Sequence, residues 1–177
     1  SELGKGSTFT VTLKHKIADE NYYVKNYAEN PETYSEILKD RKILLAEDND
    51  LNAEIAVTVL EETGIVIERV EDGIQCVNRV AQMSPGTYDL ILMDIQMPNM
   101  DGYQAARRIR LMDHPQAKTI PILAMTYHAT PEAMRMAAIT GMSGQVEKPV
   151  KMQTLALIIT KLKSKNRVHP GYDYDRK

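Results

Sequence analysis

The sequence of 177 residues is poor in cysteine and in aromatic side chains: it holds one cysteine, one phenylalanine and no tryptophan. The lone Cys76 cannot form an intramolecular disulfide, which excludes a disulfide-built fold and favours a reducing, cytoplasmic setting. The apolar runs "ILMDI" and "LALIIT" fall far short of the roughly 20 residues that a membrane-spanning helix needs. We therefore expect no membrane contact by this chain, while a membrane anchor elsewhere in a parent protein stays open.

An excess of charge of one sign is also lacking, because the net charge is only -2. No basic run or patch is present, which argues against nucleic acid as a partner. The chain also lacks an initiator methionine and the charged-then-apolar pattern of a signal peptide. We therefore expect a piece excised from a longer protein.

From about residue 41, short apolar runs alternate with longer segments of helical period. Continuous apolar strands joined by helices predict a parallel sheet covered on both faces, because a strand with one wet face would alternate polar and apolar residues. Right-handed crossovers make this an α/β fold with a doubly wound sheet. The predicted strands are 42–47, 65–70, 89–94, 120–125 and 144–148, and the predicted helices are 50–63, 73–83, 101–112, 130–140 and 151–164.

Chemically active side chains follow the strands of this predicted sheet. Ligands bind beyond the carboxyl ends of parallel strands, and those ends carry Glu47 and Asp48, then Asp94, Thr126 and Lys148. Clustered carboxylates repel unless a cation lies among them, and ligands that are all oxygen favour Mg²⁺. A carboxylate of this kind can attack a phosphoryl group whose oxygens are neutralised by metal, lysine and hydroxyl.

Four short motifs carry these strand-end residues: "LLAEDN", "LILMDIQMPNMDG", "AMT" and the step "KP". In this order they resemble the receiver domain of two-component response regulators, over residues 41–164. The resemblance implies a flavodoxin-like fold, a five-stranded parallel sheet of order 2-1-3-4-5 with helices on both faces.

The resemblance also implies a metal site and a phosphoacceptor. Asp94 would be the phosphoacceptor in a reaction that depends on Mg²⁺. Asp48, Asp94 and the backbone carbonyl of Gln96 would bind the ion, and Glu47 would act mostly through a metal-bound water.

The same resemblance implies that Thr126 and Lys148 contact the phosphoryl oxygens and that the Lys148-Pro149 bond is cis. Two positions depart from the family pattern. Gln145 stands where an aromatic or histidine switch residue is common, and Tyr127 stands where a small side chain is usual. We expect the acceptor chemistry to survive, Gln145 to stay near the surface and the coupling of phosphorylation to the fifth-strand face to weaken.

The flanking segments carry a second resemblance. Residues 1–13, "SELGKGSTFTVTL", are similar to the terminal strand hairpin of a histidine-kinase ATP-binding domain. Residues 14–40 would be a linker with a short helix in "NPETYSEILKD", capped by Asn30, and residues 165–177 a disordered tail. This order is that of hybrid sensor histidine kinases.

Hybrid-kinase order implies a phosphorelay role for the chain. The phosphohistidine donor would be the protein's own kinase core or a histidine phosphotransfer protein, and a homodimer stays open. The parent would be a histidine protein kinase, whereas this chain would catalyse only its own aspartyl phosphorylation and dephosphorylation.

Two other functions remain open on the residues alone. A pseudo-receiver that docks partners without phosphorylation is the alternative, with Gln145 and Tyr127 as its hints. A Mg²⁺-dependent phosphatase would want a second aspartate two residues after the nucleophile, where this chain has Gln96. The complete set of acidic residues and lysine favours the phosphorylated receiver over both.

Overall fold

The structure is a computed structural model that describes residues 31–128 and 130–166. Its strands are β1 (Lys42–Ala46), β2 (Val66–Val70), β3 (Leu90–Asp94), β4 (Ile122–Thr126) and β5 (Gly144–Glu147). Its helices are α1 (Pro31–Leu38), α2 (Asp50–Glu61), α3 (Gly73–Gln82), α4 (Gly102–Leu111), α5 (Pro131–Ile139) and α6 (Met152–Asn166). Each strand and helix predicted from 41 onward is present, with bounds that differ by one or two residues.

The five strands form one sheet in the order β2-β1-β3-β4-β5, and every neighbouring pair is parallel. This confirms the predicted doubly wound, flavodoxin-like sheet. The chain reverses its direction of winding between β1 and β3, which places a crevice at the carboxyl ends of these two strands. The functional side chains are expected in that crevice.

Apolar side chains of successive strand residues point to opposite faces and build two cores. Leu44, Ile91 and Met93 belong to the core on one face, together with side chains of α3 and α4. Leu45 and Leu92 belong to the core on the other face, with side chains of α1, α2 and α6. All five residues of β3 are buried, and the strand that ends on Asp94 is the central strand of the sheet.

Polar side chains begin four of the helices. Asn49, Asp72, Asp101 and Thr130 each accept a hydrogen bond from the backbone N–H three residues later. Pro131 at the first position of α5 forfeits no hydrogen bond, because that N–H has no partner within a helix.

Helix α1 packs against the domain, with Tyr34 and Leu38 buried in the core shared with α6. The short helix predicted in this segment is therefore confirmed. Its predicted cap Asn30 lies outside the described residues, as do the kinase-like hairpin 1–13, residues 14–30 of the linker and most of the tail 165–177.

Two further expectations concern the membrane and the thiol. Among the helices that the structure describes, none combines the length and apolarity needed to cross a bilayer. Cys76 is fully buried, and this burial raises the pKa of its thiol to about 12. The thiol is therefore protonated and inert at neutral pH.

Candidate functional site

The carboxyl edge of the sheet gathers all six predicted site residues around one open cleft of about 610 Å³. The members of this set are Glu47, Asp48, Asp94, Gln96, Thr126 and Lys148. They come from the ends of β1, β3, β4 and β5, which converge because parallel strands finish at the same edge.

Lys148 lies between the two most buried carboxylates of the cleft. Its ammonium Nζ is 2.6 Å from Glu47 Oε2 and 2.9 Å from Asp94 Oδ2. The exposed fractions of the three side chains are 7% for Lys148, 2% for Glu47 and 10% for Asp94. The cation that clustered carboxylates require is thus supplied by the protein itself.

The pKa values of this group follow from burial and from the close charges. Burial, together with the neighbouring charge of Glu47, raises the pKa of Asp94 against the opposing effect of Lys148. Burial alone would lower the pKa of Lys148, but the bonds to Glu47 and Asp94 outweigh it and raise that pKa. Lys148 is therefore charged throughout the neutral range.

Three carboxylates are positioned to share one cation. Glu47, Asp48 and Asp94 each offer an oxygen, and these oxygens lie within 4.8 Å of one another. Asp48 is exposed, and Asp94 Oδ1 accepts a long hydrogen bond of 3.4 Å from the Gln96 N–H. A set of oxygen ligands that opens to water favours Mg²⁺ over zinc.

The loop after β3 holds Asp94 against the start of α4. The Gly102 N–H donates to the Ile95 carbonyl at 3.0 Å, and a β-carbon on Gly102 would lie 2.1 Å from the Asp94 carbonyl oxygen. Only glycine permits this approach. Asn99 adopts a left-handed conformation (φ 62) and donates through Nδ2 to Asp72 at 2.8 Å, which ties the loop to the cap of α3.

Thr126 lines the cleft, but its hydroxyl bonds within its own loop. Oγ1 donates to the His128 carbonyl at 3.0 Å and accepts from the His128 N–H at 3.2 Å. Its predicted contact with a phosphoryl group stays a prediction. The Lys148-Pro149 bond is cis, as predicted.

Sequence reasoning missed two contacts made by Tyr127. Its ring lies 5.3 Å from Lys148 Nζ, and its hydroxyl accepts a 3.2 Å hydrogen bond from Asn52 Nδ2. Asn52 also donates to Glu47 Oε1 at 3.0 Å. Tyr127 therefore forms one wall of the cleft, and no pattern in the sequence indicated Asn52 as its partner.

Gln145 does not stay wholly near the surface as expected. Its side chain is partly buried, and its amide oxygen Oε1 is enclosed without a hydrogen-bond partner in the described part of the chain. The backbone explains this: Gln145 pairs with Ala124 of β4, so its side chain lies over the sheet beside α5. The predicted weak coupling to phosphorylation stays a prediction.

Comparisons with known proteins agree with this geometry. The family model described as response regulator receiver domain matches residues 43–160. The peroxide stress-activated histidine kinase Mak1 of Schizosaccharomyces pombe is 39% identical over 122 residues, which are 67% of this chain and 7% of that protein. The sensor protein EvgS of Escherichia coli K12 is 30% identical over 172 residues, which are 97% of this chain and 14% of that protein. The chain thus spans only a small part of these relatives.

Solved structures include receivers of two histidine kinases. The receiver of PA1611 from Pseudomonas aeruginosa, with a magnesium ion coordinated in its active site cleft, is 33% identical with a TM-score of 0.62. The match covers 71% of this chain and 98% of that one. The receiver of CKI1 from Arabidopsis thaliana, complexed with Mg²⁺ and BeF₃⁻, is 27% identical with a TM-score of 0.66, and covers 75% and 95% of the two chains.

Proposed function

The chain belongs to the response regulator receiver domain family, and from this we propose that it accepts a phosphoryl group from a phosphohistidine onto Asp94 in a Mg²⁺-dependent reaction. The observation that supports this most is the arrangement around Asp94. A buried carboxylate ends the central strand, with an ammonium 2.9 Å away and two further carboxylates close by.

The chemistry balances with the groups present. A carboxylate oxygen of Asp94 attacks phosphorus, the bond between phosphorus and the donor imidazole nitrogen breaks, and the nitrogen keeps the electron pair. A bound Mg²⁺ would neutralise charge on the phosphoryl oxygens. Asp48, Asp94 and the Gln96 carbonyl would hold the ion, with Glu47 acting through water.

Lys148 and Thr126 would contact the transferred phosphoryl group and stabilise its charge. The Lys148 ammonium already lies beside the acceptor carboxylate and is held in place by Glu47, so it can pair with an arriving phosphoryl oxygen. The Thr126 hydroxyl would give up its hydrogen bond to the His128 carbonyl and donate a hydrogen bond to another phosphoryl oxygen. Both side chains stabilise charge rather than break bonds.

An apolar pocket of about 200 Å³ next to the cleft supports an approach of the phosphodonor from that side. Ile55, Met125, Pro149 and Val150 line it, and Lys148 borders both the pocket and the cleft. A donor that presents its phosphohistidine to Asp94 would cover this pocket. We propose that the donor is the kinase core of a parent hybrid histidine kinase or a histidine phosphotransfer protein.

The acidic cluster and the lysine are complete, and this outweighs Gln145 and Tyr127, the two departures that hint at a pseudo-receiver. A docking module needs only an exposed surface, and the buried Lys148, which bonds to two carboxylates, would contribute nothing to docking. The phosphorylated receiver is therefore the function that we retain.

The test is phosphorylation by a small-molecule phosphodonor with Mg²⁺, followed by intact mass measurement. We expect one phosphoryl adduct, its loss when EDTA removes the metal, and its loss in Asp94→Asn. The fold should survive in that variant, because Lys148 keeps its 2.6 Å bond to Glu47. Asp101→Asn is the matched control, since asparagine also caps a helix and the adduct should remain. An adduct on Asp94→Asn would overturn the assignment.

A further inference from the structure

We propose that Arg69 is a positioning residue that holds the acidic turn, residues 47–50, in the shape that metal binding requires. This inference rests on the proposed function, because it concerns the same Mg²⁺ site. Arg69 lies on β2, one strand away from the turn, and pairs with Leu45 of β1. Neither the site prediction nor the family motifs involve this residue.

The guanidinium of Arg69 contacts three oxygens of the acidic turn. Nε donates to the Glu47 carbonyl at 3.0 Å, and Nη2 donates to the Asp48 carbonyl at 3.2 Å. Nη2 also lies 2.8 Å from Asp50 Oδ1. A guanidinium is planar and rigid, so these bonds fix the positions of the oxygens relative to one another.

The Glu47 carbonyl belongs to the peptide that joins Glu47 to Asp48, and the Asp48 carbonyl belongs to the next peptide, so holding both carbonyls fixes the backbone at Asp48. The directions of the Glu47 and Asp48 side chains toward Asp94 depend on the orientation of these two peptides. The Glu47 N–H donates to the Val70 carbonyl at 3.1 Å, which secures the entry to the turn, and the Asn49 cap secures its exit. Arg69 secures the two carbonyls between these points.

The positive charge of Arg69 acts in the opposite sense, since it repels a divalent cation. Asp50 reduces this repulsion, although its side chain is 91% exposed and solvent screens the pair. Substitution of Arg69 by lysine keeps the positive charge and removes the planar guanidinium. Arg69→Lys therefore isolates the geometric contribution from the electrostatic one.

Arg110 provides a matched control elsewhere in the domain. Its guanidinium also donates to three backbone carbonyls: those of Ala117 at 2.6 Å, Ile120 at 2.8 Å and Gly141 at 2.8 Å. None of these residues lines the cleft. Arg110→Lys should lower the stability through the same kind of loss, without a change in metal affinity.

The experiment is calorimetric titration of the chain with Mg²⁺, with thermal unfolding in EDTA as a measure of folding. We expect Arg69→Lys to weaken Mg²⁺ binding roughly tenfold, as for other residues that orient metal ligands. Arg110→Lys should bind as the wild type does.

Arg69→Gln, which can keep one carbonyl bond, is a second variant should the lysine variant fail to fold, and it should also bind Mg²⁺ more weakly. Wild-type affinity in a folded Arg69 variant, or an equal loss in Arg110→Lys, would overturn the positioning role. Failure of the wild-type chain to bind Mg²⁺ would instead overturn the proposed function together with this role.

Discussion

Replacement of Lys148 by methionine should destabilise the metal-free protein and make its stability depend on Mg²⁺. Methionine keeps most of the apolar stem of the side chain and removes the ammonium. Glu47 and Asp94, which are 2% and 10% exposed, then face each other without the cation that now bonds to both. Two buried carboxylates without a counter-ion are strongly unfavourable.

The loss in the free energy of unfolding can be bounded from these contacts. Removing one partner of a buried ion pair costs about 3 to 5 kcal/mol. Asn52 still donates to Glu47, and Asp94 can take up a proton because burial already raises its pKa, so we expect a value near the lower end. A loss of about 3 kcal/mol is a large part of a domain stability of roughly 5 to 15 kcal/mol.

The sign of the pH dependence follows from the same groups. Without Lys148, the pKa of Asp94 in the folded state rises further above its usual 3.8, because the lysine is the strongest of the influences that lower it. A raised folded-state pKa contributes stability at low pH that is lost as pH increases through that pKa. The deficit of Lys148→Met should therefore grow from acid to neutral pH.

The assay is urea unfolding followed by far-UV circular dichroism, in EDTA and in Mg²⁺, since the chain has no tryptophan to report by fluorescence. Mg²⁺ at a hundred times its dissociation constant stabilises a folded protein by about 2.7 kcal/mol and should restore most of the loss. Lys151→Met removes an exposed lysine and serves as the control. A loss below about 1 kcal/mol in EDTA, the range of an exposed ion pair, would refute the reasoning.

Substitutions at Tyr127 and Gly102 test two other parts of the cleft. Tyr127→Phe keeps the ring that forms the cleft wall and should leave the lifetime of the phosphoryl adduct nearly unchanged. Tyr127→Ala opens the wall to water and should shorten that lifetime. Equal decay of the adduct in the wild type and both variants, measured by intact mass, would contradict this role. Gly102→Ala places a β-carbon against the Asp94 carbonyl and should cost about 1 to 3 kcal/mol in urea unfolding and slow adduct formation. Gly144→Ala, whose β-carbon would meet Leu123 at an ordinary 3.5 Å, should cost less; the reverse ranking would count against the argument.

Much of the site could be predicted because the rule that locates it is local. Asp94 and Thr126 end strands whose apolar runs are visible in the sequence, and Glu47 and Lys148 follow such runs directly. Parallel strands finish at one edge of a sheet, so residues at these ends meet even though they are far apart in the chain. Strand order added nothing that this prediction needed.

Side-chain periodicity and helix caps are properties of neighbouring residues, so the sequence was enough to predict the sheet, its apolar centre and the edge where the candidate site lies. The contacts between individual atoms at that edge follow from the folded chain. Lys148 donates a hydrogen bond to Glu47, which lies 101 positions earlier in the chain. Arg69, on another strand, donates hydrogen bonds to two carbonyls of the acidic turn. Such contacts depend on rotamers and on packing between distant segments, which no local pattern specifies. For the same reason, the enclosed amide oxygen of Gln145 became visible only in the folded chain.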